Sequence, residues 1–184
     1  MAGLLSILVL SAVLALGLSL LLFQFITGVP PHPSGAAEAS DVVALLREAT
    51  LPADAIIYDL GCGWGSLIIA VARAFPSAQI RGIEISPLPY WVARFRTRQL
   101  SRVTVTRGDF YCCDLTDADA ATCYLMIKPM PKVASLFDTQ LQPGTPVVAL
   151  TFWFRDRKPA ATRGRRGLGR DAALYYWNSG KADR

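Results

Sequence analysis

One histidine, four cysteines and no Cys-x-x-C pair leave this chain little nitrogen or sulfur for a metal ion or a redox couple. The histidine, His32, stands in Val29-Pro30-Pro31-His32-Pro33-Ser34-Gly35, a rigid stretch that cannot be helical, and reads as a solvated loop residue. Alone, it makes neither a metal site nor an oriented general base. Cys62, Cys112, Cys113 and Cys123 lie in or beside apolar segments, and adjacent Cys112-Cys113 lacks the spacing of a zinc or thiol–disulfide motif. Buried, reduced thiols are expected, and no metal. Charge is missing at the start: Leu4 to Ile26 contains no charged residue. At ~1.5 Å per residue that run spans a ~30 Å hydrocarbon layer as one helix. It exceeds the ~7–15 residues of a cleaved signal core, and no basic residue precedes it. Residues 1–28 are therefore expected to be a permanent transmembrane anchor, 29–40 a Pro-rich linker and 41–184 the folded domain. All the cations follow the span, which directs that domain to the cytoplasmic side.

What the chain does have is Ile56-Ile57-Tyr58-Asp59-Leu60-Gly61-Cys62-Gly63-Trp64-Gly65-Ser66-Leu67, running on into Ile68-Ile69-Ala70-Val71-Ala72-Arg73-Ala74. An apolar run of strand character turns through three glycines into a helix. Such a turn is a cofactor cradle, because glycines let the backbone approach a ligand and the helix start presents free N–H groups. There is no lysine of a nucleoside-triphosphate loop, and the spacing is G-x-G-x-G, which argues against a simple dinucleotide. Two further apolar segments each end near an acid: Ile80-Arg81-Gly82-Ile83-Glu84-Ile85, and Val103 to Phe110 with Asp109. A carboxylate at a strand tip suits a vicinal diol, and one on the next strand can accept from an exocyclic amine.

These three segments resemble the first three strands of the class I S-adenosylmethionine-dependent methyltransferases, and Asp59-Leu60-Gly61-Cys62-Gly63-Trp64-Gly65 is similar to that family's first motif. The resemblance implies an α/β, Rossmann-like sheet ordered 3-2-1-4-5 with an antiparallel C-terminal strand beside the fifth. It implies S-adenosyl-L-methionine as cofactor and S-adenosyl-L-homocysteine as product. Asp59, Gly61, Cys62, Gly63 and Gly65 would cradle the methionine part, Glu84 and Ile85 the ribose, and Asp109 and Phe110 the adenine. The ligand would lie across the strand tips, where open α/β sheets bind.

Along the chain, Ser40 or Asp41 caps an amphipathic helix over Val42–Glu48, placed where this class often carries a lid. Ser86-Pro87 starts a helix that runs to Leu100, with arginines in a four-residue rhythm that read as a solvated face. A fourth strand is expected at Ala121–Ile127, a helix at Lys132–Leu141 and a fifth strand at Pro146–Phe154. Residues 155–184 carry nine Lys/Arg against three Asp/Glu, in clusters before a final strand at Ala173–Trp177. That basic segment suits an anionic leaflet or an acceptor protein, with a merely solvated loop as the plain alternative; RNA is the rival partner, but no RNA-binding motif accompanies it.

With its apolar start, proline-containing stretch, Gly82-Ile83-Glu84-Ile85-Ser86-Pro87 and terminal Tyr175-Tyr176-Trp177, the chain resembles a narrower group. These are the small membrane-anchored protein-lysine methyltransferases of the mitochondrial inner membrane and their bacterial relatives. That group usually has an acid where Trp64 stands here, and a more polar stretch than Lys128-Pro129-Met130-Pro131. The resemblance implies a single-pass enzyme facing the cytoplasm, in the bacterial inner membrane or alternatively the mitochondrial one, that N-methylates lysine in a membrane protein. Two alternatives stand beside it: methylation of a lipid-soluble small molecule such as a quinone, and a non-catalytic cofactor-binding scaffold. Transfer to a neutral amine needs proximity and a dry pocket more than a strong base. Asp114 and Tyr111 are the polar groups best placed by sequence to face the acceptor.

Overall fold

In the computed structural model, residues 3–11, 14, 17, 35–164 and 171–177 are described. The chain divides into two compact units, Met1–Pro31 and His32–Arg184. In the first, residues 3–11 are helical and exposed. Nine helical residues rise about 14 Å, less than half of a hydrocarbon layer. Among the described residues no helix is long and apolar enough to cross a membrane. This overturns the expected single-pass localisation. Most of the expected span, and the Pro-rich linker as far as residue 34, lie outside the described residues.

The second unit is a seven-stranded sheet ordered β3-β2-β1-β4-β5-β7-β6. Its strands are β1 (Ile56–Leu60), β2 (Gln79–Glu84), β3 (Val103–Arg107), β4 (Ala120–Cys123), β5 (Pro146–Leu150), β6 (Ala161–Arg163) and β7 (Ala172–Tyr176). The first five run parallel, while β7 pairs antiparallel with β5 and β6 with β7. Side chains alternate across the sheet, as the two-residue period of a strand requires. Ile57, Val148, Leu150 and Leu174 face one layer, and Tyr58, Leu60, Val147, Ala149 and Tyr175 the other. The first layer packs against α1 (Ala36–Glu48), α2 (Ser66–Ala74) and α3 (Pro87–Thr97); the second packs against α4 (Met130–Gln140).

Several boundaries differ from expectation for local reasons. Helix α1 begins at Ala36 after Gly35, with no side-chain cap, because alanines need little help to enter a helix. Its Val42, Leu45 and Leu46 are fully buried, so α1 is a fixed core helix instead of a lid. Strand β5 stops at Leu150, since Thr151 takes φ +70°, which breaks the ladder. Strand β6 falls in a stretch whose basic residues mask its strand character; Arg163 pairs there with Glu48 of α1.

Beyond β5, Phe154 sits edge-on to Trp177 at 4.9 Å, and Phe137 of α4 edge-on to Trp177 at 5.2 Å. The Trp177 indole donates to Asp138 at 3.1 Å, and the Arg157 guanidinium, paired with Asp138, stacks 3.9 Å from the indole centroid. This cluster clamps the 154–157 segment onto α4. Trp177→Ala is expected to cost about 3–5 kcal/mol, the usual loss for a fully buried aromatic. Urea denaturation of the variant beside the parent checks it.

Candidate functional site

The turn after β1 is shaped by three left-handed glycines: Gly61 at φ +71°, Gly63 at +53° and Gly65 at +80°. They do different jobs. A Cβ on Gly61 would stand 2.8 Å from Leu125 Cδ2, and one on Gly65 would stand 3.1 Å from Ala93 of α3. Around Gly63 there is open space, with nothing nearer than a backbone oxygen at 3.9 Å. Close packing demands the outer two glycines; the middle one leaves a bare backbone facing unfilled volume.

Glu84, at the end of β2 and only 7 % exposed, ties this turn down. Its Oε2 accepts from the Gly63 N–H at 2.9 Å and its Oε1 from the Ser86 N–H at 2.7 Å. The Gly61 and Cys62 N–H groups donate to the Ile83 carbonyl at 2.9 and 3.1 Å. One carboxylate thus joins the middle of the glycine turn to the start of α3. Each oxygen keeps a further lone pair.

Asp59, 3 % exposed, lies one strand over, and Thr122 Oγ1 donates to its Oδ1 at 2.9 Å. Burial pushes its pKa up from 3.8 to about 7; Thr122 opposes that rise and the nearby Glu84 charge adds to it. Cys62 is buried, and burial raises its thiol pKa strongly; the buried Cys123 thiol is pushed up to about 12. Both are inert packing thiols. Cys112 is exposed and Cys113 half-buried, so the expectation of buried thiols fails there. Their segment turns at the surface as a short 3-10 helix, Phe110–Cys112.

Asp109 is exposed, and its Oδ1 accepts from the Tyr111 N–H at 3.0 Å, capping that turn. Phe110 is half-buried, with its ring tilted on Tyr111 at 4.5 Å. Ile85 is 42 % exposed. The Tyr111 hydroxyl donates to the Pro129 carbonyl at 3.4 Å, and Lys132 Nζ lies 3.9 Å from its ring centroid. Asp114 is exposed. Its Oδ1 accepts both the N–H and the hydroxyl of Thr116, at 2.9 and 2.6 Å, and these bonds lower its pKa. The fold therefore brings Tyr111 to the loop after β4 and spends Asp114 on a turn.

Sequence reasoning missed Thr122, Leu125 and Gly82. A Cβ on Gly82 would stand 2.6 Å from Ile68 and 2.8 Å from Cys62 Sγ, so the turn presses against β2. A glycine inside a strand is the available signal for such an approach. Also missed was a cavity of about 390 Å³ beyond β4 and β5. Its walls are Ile127, Met130 and Pro131 on one side and Trp153 and Phe154 on the other, with Lys128, Arg155 and Asp156 among the charged lining residues.

The ANTKMT methyltransferase domain family matches residues 59–161, more than half of the chain. This chain belongs to that family. It is similar to a protein-lysine N-methyltransferase of Saccharolobus islandicus (strain REY15A), 29 % identical over 134 residues, which cover 71 % of this chain and 83 % of that protein. Among solved structures it is similar to an RNA methyltransferase from Salinibacter ruber in complex with S-adenosyl-L-homocysteine. That match has 28 % identity and a TM-score of 0.71, covering 80 % of this chain and 95 % of the other. A second is a SAM-dependent methyltransferase from Geobacter sulfurreducens, also with S-adenosyl-L-homocysteine, at 25 % identity and a TM-score of 0.54, covering 65 % and 49 %.

The chain is thus an S-adenosylmethionine-dependent methyltransferase, and the scaffold alternative falls away. The geometry fits that cofactor on two counts. A bare, left-handed Gly63 borders open space, and two buried carboxylates on adjacent strand tips suit a ligand with positive charge and vicinal hydroxyls.

A carboxyl group with a pKa near 7 when folded and 3.8 when unfolded takes up a proton on folding. Its contribution is therefore greatest below about pH 4, and stability falls as pH rises towards about 7, by a few kcal/mol at ~1.4 per unit. Thermal midpoints of the ligand-free protein should fall across that window, and Asp59→Asn should flatten the fall.

Proposed function

We propose that this methyltransferase transfers the methyl group of S-adenosyl-L-methionine to the side-chain amine of a protein lysine. The observation that carries the reading is the cavity beyond β4 and β5. Its aromatic and aliphatic walls suit a four-carbon stem, and the Asp156 carboxylate among its lining residues suits an amine. The loop that forms one wall follows Leu125, whose side chain lies beside Gly61 of the glycine turn. The similarity to a protein-lysine N-methyltransferase supports the same acceptor.

In this reading Gly61, Cys62, Gly63 and Gly65 cradle the methionine part of the cofactor, with the Asp59 carboxylate near its positive charge. The spare lone pairs of Glu84 take the ribose hydroxyls beside Ile85, and Asp109 and Phe110 border the adenine. The bound cofactor supplies an electrophilic methyl on a sulfonium. The lysine nitrogen forms the new N–C bond as the S–C bond breaks, and the amine sheds a proton. Lys128 and Arg155 disfavour a protonated amine in the cavity and so raise the nucleophilic fraction. Asp156 is the lining carboxylate that can accept the released proton. Tyr111 steadies the 129–132 segment from the other side.

A quinone-like acceptor would ask for an apolar mouth, and exposed Lys128, Arg155 and Asp156 do not provide one. The membrane protein expected as acceptor rested on the anchor and is not carried further.

Protein extract incubated with this enzyme and methyl-labelled cofactor, then hydrolysed to amino acids, should yield labelled N-methyl-lysine. Gly63→Arg, which fills the open space and forces a side chain into the left-handed region, should give none. Label confined to lipid, to RNA or to another amino acid would contradict the reading.

A further inference from the structure

Between Glu84 and Asp109 the chain carries five arginines, at 94, 96, 98, 102 and 107, and no lysine, aspartate or glutamate. Their rhythm alone reads as a solvated face. The fold gives them company. Trp91 and Phe95, one helical turn apart on α3, are 59 % and 65 % exposed. They are not overflow from the core, since α3 already buries Pro89, Tyr90, Ala93 and Thr97 on its inner side. The Arg98 guanidinium lies 3.9 Å from the Phe95 ring centroid and donates to the Phe95 carbonyl at 2.8 Å. Arg94 stands 6.0 Å from the Trp91 ring and donates to the Tyr90 hydroxyl at 2.8 Å. Arg96 reaches to the glycine turn instead, donating to the Trp64 carbonyl at 2.6 Å. Helix α3 packs on β3, the last strand of the sheet, whose outer edge has no strand partner among the described residues. Arg102, Thr104, Thr106 and Arg107 are exposed along or beside that edge.

We infer that this α3–β3 surface docks an acidic segment of a partner protein that also carries apolar side chains. On the proposed function that partner is the protein being methylated, and this clause alone rests on that reading. Charge complementarity is one ground: five arginines and no acid lie along this stretch, and guanidinium N–H groups pair with carboxylates. Composition is the second, because Trp, Phe and Arg are enriched at protein interfaces while lysine is depleted. Two observations favour a protein over the other anions. The stacked guanidinium of Arg98 occupies one face of the Phe95 ring, which narrows the platform open to a nucleobase. The open edge of β3 offers backbone N–H and C=O groups that another peptide can pair. Two rings beside an arginine ridge make too narrow an apolar strip to seat a helix in a bilayer.

The test uses the full chain and four probes: a fluorescent peptide of repeated Glu-Leu-Glu-Phe, the same peptide with lysine for glutamate, oligouridylate, and phosphatidylglycerol vesicles. The acidic peptide should bind tightest. Both W91A/F95A and R94E/R98E should weaken that binding about tenfold or more, with affinity for S-adenosyl-L-homocysteine kept in each. Peptide binding unchanged in both variants, or tighter binding of RNA or vesicles than of the acidic peptide, would overturn the inference. The assay involves no methyl transfer, so a failure to find methyl-lysine would strike the proposed function and leave this surface standing.

Discussion

A buried carboxylate must be hydrogen-bonded or it costs several kcal/mol, and in this protein that requirement falls on Glu84. It is met by two backbone N–H groups from different sides, Gly63 in the first turn and Ser86 at the entry to α3. The turn cannot drift from β2 without stranding the charge, and α3 cannot start elsewhere without losing a donor. Gly65, against Ala93, and Gly82, against Cys62 and Ile68, then close the turn onto α3 and β2. The conformation of the cradle is thus set before any ligand arrives, which is how a protein lowers the ordering cost of binding.

The same constraint places a second acid at risk. Asp59 is buried at the strand tips with Thr122 donating to its carboxylate, and burial, with the nearby Glu84 charge adding to it, keeps its pKa raised. A site that holds one carboxylate firmly and a second uneasily is poised for a ligand carrying positive charge. Beyond β4 the aromatic cluster of Phe137, Phe154 and Trp177 holds Phe154, one wall of the cavity, in place.

The sheet order 3-2-1-4-5 and the antiparallel last strand were legible through the family resemblance, which rested on glycines, acids and apolar runs at characteristic spacings. The glycine turn was legible too, because left-handed backbone and close packing ask for glycine at fixed offsets. What escaped the sequence depends on what meets in space. Thr122 is one threonine among several until β4 lies against β1. Asp114 looked free to face an acceptor until Thr116 claimed its carboxylate. Helix α1 looked like a lid because its capping signals at Ser40 and Asp41 hid an earlier start, and its burial shows only once β5 and β7 lie beneath it. The charge-free stretch at the start met the length rule for a span, yet its described helical part is too short to cross a membrane.

The claim on which this account turns is that Glu84 holds the cofactor cradle together. Calorimetric titration of S-adenosyl-L-homocysteine into the parent and into Glu84→Gln tests it directly. The substitution keeps size and one acceptor oxygen but removes the charge and puts an N–H₂ group opposite a backbone donor. Saturable binding to the parent, weakened about tenfold or more in the variant with the fold intact by circular dichroism, is the predicted result. Equal affinity in both proteins would contradict the account.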